Sequence, residues 1–180
     1  MDKNITYTKS SDGTHRFVFF WNDTDPNGFL SQWYHADFTV EGITYFSCEQ
    51  YMMAKKALVF EDAENYIRIM HSTDPAECKA LGRAVGTGSG AVPFDKEKWS
   101  GAAKEVIFDG NYAKFTQNES IGQLLLSTEN AVLAEASPED RIYGIGLSAD
   151  DISATDPKLW KGSNFMGLTL MQLREMLAQS

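Results

Sequence analysis

The sequence predicts a helix-dominated α+β domain with a small antiparallel sheet, and three observations carry that reading. Apolar residues recur at helical spacing through most of the chain, short β-prone runs cluster before Ser47, and a tight-turn dipeptide joins two of those runs. A chain of 180 residues is long enough to bury its apolar surface in one core, so a single domain over residues 17–180 is expected, with residues 1–16 as a flexible N-terminal arm.

The elements follow in order. Phe17 to Trp21 is a short apolar run, Asp37 to Val40 and Ile43 to Phe46 are strand-like, and Glu41-Gly42 suits the turn of a hairpin. Ser47 with Gln50 three residues on is a capping box, opening a helix to about Val59. A second helix is expected over Glu61 to His71. Asp74-Pro75 then opens a third, toward Val85, with Asp as cap and Pro in the first turn. Gly86-Thr-Gly-Ser-Gly90 ends it. This stretch lacks the Lys-Ser/Thr of a phosphate loop and reads as a flexible connector. Trp99, Ala102, Ala103, Val106 and Ile107 mark a long helix from about Lys98 into Thr116, and a shorter one follows Asn118. Ala131 to Ala136 and Tyr143 to Gly146 read as strands, Ser148 to Ser163 as irregular, and the stripe Met166, Leu170, Leu173, Leu177 as a last core-facing helix. The tally is about seven helices with a few short strands.

Composition narrows the function classes. A formal charge of -9 argues against a broad grip on nucleic-acid backbone, which needs clustered Lys and Arg. Cys48 and Cys78 fall inside expected helices, without metal or disulfide spacing, and no membrane-length apolar run or signal core is visible. The expected location is the cytoplasm, with no membrane partner. His15, His35 and His71 lack metal-ligand spacing, so neither a metal nor any other cofactor is expected. Nothing in the sequence sets an oligomeric state.

Several residues have the types that chemistry needs. Glu49 and Lys56 stand seven apart on one helix, within roughly 20° of the same face and about 10 Å apart along the axis, flanking an apolar strip with Met52 and Met53. Such a pair can reach two ends of a small ligand, although helical charges are ordinarily solvated. Arg174 lies against the apolar stripe of the last helix, where a guanidinium clamps a phosphate or pairs with a carboxylate, the pair being the commoner case. Trp160-Lys-Gly-Ser-Asn164 leads into that helix, whose free amides suit an anion; equally, Asn164 serves as its cap. Trp33, Trp99 and Trp160 offer stacking faces or ordinary packing.

The run Ser47-Cys-Glu49-Gln-Tyr51-Met-Met-Ala54-Lys-Lys56 resembles the signature helix of the YbiA-like (NADAR) N-glycosidases. It is joined in order by Phe29-Leu-Ser31-Gln-Trp33, Trp99, Ala113-Lys-Phe115, Asp140-x-x-Tyr143-Gly-Ile-Gly146, Gly162-Ser-Asn164 and Gly167-Leu-x-Leu170-Met171-x-x-Arg174. Two departures stand out: Gln32-Trp33 replaces the family's Asn-Phe, and Tyr143 stands where a Trp is frequent. The resemblance implies hydrolysis of the N-glycosidic bond between ribose and a heterocyclic base or amine. The substrate is either a ribosyl phosphate of the riboflavin pathway or an ADP-ribosyl compound, extending to an ADP-ribosylated nucleic-acid base. It assigns catalysis to Glu49 and Lys56 and substrate binding to Ser31, Trp99, Asp140, Tyr143, Gly144, Trp160, Gly162, Asn164 and Arg174. The competing expectation is a non-catalytic ADP-ribose or nucleotide-binding module.

Overall fold

The computed structural model describes residues 5–10 and 12–179, so residues 1–4 and 11 of the expected arm lie outside the described residues. Strands β1 to β5 are Thr8–Lys9, Arg16–Phe20, Phe38–Val40, Ile43–Tyr45 and Val132–Glu135. Helices α1 to α6 are Cys48–Val59, Ala63–His71, Pro75–Arg83, Lys96–Gln117, Glu119–Ser127 and Phe165–Ala178. Helix dominates and the sheets are small, as the periodicity requires. The chain forms two compact units, Met1–Tyr34 with Glu119–Ser180, and His35–Asn118.

In the first unit β2 pairs antiparallel with β1 and parallel with β5, in register from Phe17 opposite Val132 to Phe20 opposite Glu135. The expected single antiparallel sheet is therefore two sheets. A parallel pair needs a long crossover, and no local pattern announces its partner. Helix α6 packs on β5 and buries Met166, Leu170 and Leu173, and Phe17, Val18 and Leu133 of the sheet are buried as well. Each such fully buried side chain contributes roughly 2 kcal/mol of transfer free energy. The expected strand at Tyr143–Gly146 does not form. Instead Ile145 alone bonds on both sides, its N–H to the Glu135 carbonyl at 2.8 Å and its carbonyl to the N–H groups of Lys161 and Gly162.

The second unit is built around α1, against which α2, α3 and α4 all pack. Ahead of it, β3 and β4 form the expected hairpin. Val40 pairs with Ile43, and the two loop residues Glu41 and Gly42 both take positive φ, at 53° and 80°, as a type I′ turn demands. Helix α1 opens on Ser47, whose side chain accepts the Gln50 N–H at 3.2 Å, while the Gln50 side chain reaches back to the Phe46 N–H at 3.0 Å. The Gln50 amide also donates to the carbonyls of Ile69 and Ser72, fixing α1 to the end of α2. At Gly110 any side chain would press on the Tyr51 ring, 2.7 Å from a Cβ, so this glycine lets α4 lie close to α1.

Candidate active site

Glu49 occupies the first turn of α1, where the helix dipole favours a carboxylate. It is nonetheless only 4% exposed. Carboxylates are seldom buried this far unless paired, so the picture of a solvated helical charge does not apply here. Met52 and Met53, on the same stretch of helix, are buried as well.

Lys56, in the last turn of α1, is half-buried. Its Nζ donates to the Gly82 carbonyl at 2.6 Å and lies 4.5 Å from the centre of the Phe94 ring and 5.9 Å from that of Trp99. Burial holds its pKa below the ordinary lysine value, against an upward pull from the Glu49 carboxylate. The amine thus sits in an aromatic corner with one carbonyl acceptor and feels the acid two turns earlier. Trp99 is itself buried, and its ring serves as a wall of this corner.

The glycine-rich stretch is fastened rather than flexible. Asp62 is 1% exposed, and one of its carboxylate oxygens accepts the N–H groups of Gly86 at 2.9 Å and Gly88 at 3.3 Å. The other oxygen caps α2 through the Asn65 N–H at 3.0 Å, and the Asn65 side-chain amide donates at 2.9 Å to the oxygen that holds the glycines. Burial opposes ionisation of Asp62, yet these hydrogen bonds outweigh it and hold the pKa below the ordinary carboxylate value. A nest of backbone amides that would suit a phosphate is already filled by a side chain of the same unit. At Gly88 a Cβ would collide with that carboxylate, which explains the glycine.

In the first unit most of the candidate residues shape the backbone. Asp140 accepts the N–H groups of Ile142 and Tyr143 at 2.8 and 2.7 Å. Gly144 and Gly162 pass so close to each other that a Cβ at Gly162 would strike the Gly144 carbonyl. Trp160 donates its indole N–H to the Ala154 carbonyl at 2.8 Å and meets Phe17 edge to face. Ser31 is buried, and its hydroxyl accepts the Trp33 N–H at 3.2 Å. Arg174, also buried, donates to the Thr128 hydroxyl at 2.7 Å and the Ala131 carbonyl at 2.9 Å.

Asn164 departs from its expected role as a cap. It takes left-handed backbone with φ 52°, and its side chain makes no capping bond. That side chain turns to β5 instead, accepting the Glu135 N–H at 3.1 Å and donating to the Leu133 carbonyl at 2.9 Å. Asn164→Ala is expected to cost about 2 kcal/mol, because both strand groups lose a buried partner; urea unfolding at neutral pH measures it.

A cleft of about 470 Å³ opens in the same unit, lined among others by Phe19, Trp21, Asp25 and Asp150 and, among the described residues, by no lysine, arginine or histidine. The two acids would repel a phosphate there. Among the described residues no group of three His, Cys, Asp or Glu side chains is placed to hold a metal, and no helix is long and apolar enough to cross a membrane.

Comparison with known proteins decides the lineage, for a profile of the NADAR domain matches residues 19–178. The chain belongs to the NADAR domain family. It is similar to N-glycosidase R617 of Acanthamoeba polyphaga mimivirus, 36% identical over 170 residues that cover 90% of this chain and 96% of the viral one. The riboflavin biosynthesis protein VVA0006 of Vibrio vulnificus is 26% identical, covering 98% of this chain but 42% of that larger protein. Among solved structures, the NMR structure of the Escherichia coli protein YbiA superposes with a TM-score of 0.73 at 26% identity, over 99% of this chain and 94% of that one.

Three features of this NADAR chain escaped the sequence reading. Asp62 was hidden at the start of a helix, although an acid three residues before Asn65 is a capping signal. Phe94 lay in an unassigned connection. Lys114 stands within the Ala113-Lys-Phe115 motif and is fully buried on α4, where burial pushes its pKa down to about 8. Helical spacing could have revealed it, since it continues the buried stripe of Trp99, Ala103 and Ile107.

Proposed function

We propose that this NADAR chain is an N-glycosidase that hydrolyses the bond between ribose C1 and a nitrogen, with Glu49 as the catalytic carboxylate. The observation that carries the reading is a carboxylate buried on an apolar helix face, with a half-buried lysine seven residues on along the same helix. The names of R617 and YbiA relatives as N-glycosidases support the same reaction class.

Breaking the C1–N bond leaves the electron pair on nitrogen and builds positive charge on the sugar. A fixed carboxylate beside C1 stabilises that charge more than it stabilises the ground state. Water then bonds to C1; one of its protons leaves through Glu49 and a proton completes the departing nitrogen. Lys56 acts as an ammonium. Its carbonyl acceptor and its two ring faces all favour the charged form, even as burial opposes it. The other role open to a lysine with a lowered pKa is attack by the neutral amine on C1 of the opened sugar, giving a Schiff base.

Borohydride added during turnover separates the two roles. The ammonium role predicts no ribosyl mass on Lys56, and a trapped adduct would replace it with the covalent route. Because an ammonium is lost as pH rises through its pKa, the alkaline limb of the rate profile is expected below the pH of an ordinary lysine.

For the substrate we propose a ribosyl phosphate of the riboflavin pathway or an ADP-ribosyl compound, the first favoured by the name of the Vibrio relative. Incubation of the purified protein with one of each, followed by chromatography for the freed base, tests both class and catalysis. Binding without release would instead support a non-catalytic ADP-ribose or nucleotide-binding module.

A further inference from the structure

The aromatic cover on Lys56 arrives on a loop, and that loop is held by one buried carboxylate. Leaving α3, the chain is pinned first at Gly86 and Gly88 by Asp62, while the Asn65 amide, itself bonded to Asp62, reaches the Ala84 carbonyl at 3.3 Å. Further along, the Val92 N–H donates to the Phe60 carbonyl at 2.8 Å. Phe94 then packs its ring on Phe60, 5.2 Å between centres, and over the Lys56 amine. From Asp62 to Phe94 the path is a succession of hydrogen bonds and one ring contact, all within the second unit.

Two glycines of the loop fit this fastening. Gly88 has no room for a Cβ against the carboxylate, and Gly86 takes φ 92°, which L side chains rarely adopt, with its backbone close against Phe94. A connector that merely spanned the distance would need neither constraint.

We propose that Asp62 is a positioning residue for Lys56, fastening the loop that sets Phe94 against the amine. It touches no substrate and acts on the reaction only through that cover. The inference rests on the reading above in which Lys56 serves the chemistry, but its test does not depend on turnover.

The Lys56 side chain is titrated in the full chain by carbon NMR of uniformly labelled protein, with Lys56→Arg assigning the resonance. In Asp62→Asn the amide's single oxygen cannot serve the donors that two carboxylate oxygens serve, so the loop loosens and water reaches the amine. Its midpoint is expected to climb toward that of a free lysine by at least about half a pH unit. Phe94→Ala removes the cover directly: it takes away one ring face that favours the ammonium, but burial is the leading cause of the lowered value, so renewed hydration outweighs that loss and the midpoint is expected to move the same way, with little loss of thermal stability because the side chain is half-exposed. A purely structural role makes the opposite forecast: Asp62→Asn would lower the melting temperature and leave the Lys56 midpoint at its wild-type value, and that result overturns the proposal. If Asp62→Asn does not fold, Phe94→Ala still decides, since an unchanged midpoint there leaves nothing for the loop to position. A shifted midpoint with an alkaline limb of the rate profile that does not move with it would keep the positioning and remove Lys56 from the reaction.

Discussion

Asp62→Ala is expected to cost about 2 kcal/mol of folding stability, because the buried N–H of Asn65 and the half-buried N–H groups of Gly86 and Gly88 lose the carboxylate that accepts them. Loss of the α2 cap accounts for about 1 kcal/mol of this, and the remainder comes from the glycine loop. The effect also has a pH signature. The folded pKa of Asp62 lies below its ordinary value of 3.8. Its stabilisation is therefore complete above that value and is lost as pH falls through the folded pKa. Urea unfolding of wild type and Asp62→Ala at a series of pH values should show a constant gap near neutrality that narrows only in strong acid. A gap that narrowed already near neutral pH, or one absent throughout, would contradict this account of the carboxylate.

Glu49→Gln is expected to lower kcat by about 10²–10³-fold, the range seen when one group that stabilises transition-state charge is removed. Glutamine keeps the volume and most hydrogen bonding, so the α1 face should pack as before and KM should change little. The distinction matters because Glu49 is buried. A larger change would confuse loss of chemistry with loss of structure, whereas an isosteric one removes only the negative charge. Calorimetric melting of the variant checks the packing, and steady-state kinetics then gives the kcat and KM split.

Much of this architecture was legible because it is local. The Ser47 cap, the Glu41-Gly42 turn and the Asp74-Pro75 start are decided by residues within a few positions of one another, and each forms where its chemistry places it. The pairing of β2 with β5 was not legible, since a parallel register depends on partners far apart in sequence. Asn164 illustrates the same limit: its type suits a cap, but two strand groups compete for its amide and win. The glycine stretch has the composition of a loose connector, and the acid that fills it, Asp62, lies more than twenty positions earlier in the chain, beyond the reach of any local pattern.

At the candidate site, spacing placed Glu49 and Lys56 on one helix. It could not show that the acid is buried or that Phe94 and Trp99 enclose the amine. Those facts come from packing against α3, α4 and the loop between them. Similarly, Arg174 was visible as a cation beside an apolar stripe, while its hydroxyl and carbonyl partners follow from the turn after α5.

The most direct measurement is the rate of base release from a ribosyl phosphate substrate, followed by chromatography for wild type and Glu49→Gln side by side at saturating substrate, with calorimetry reporting binding to each. The account predicts that both proteins bind and that only wild type releases base at an appreciable rate. Equal rates from the two proteins would contradict it, for the charge at position 49 would then have no part in breaking the bond.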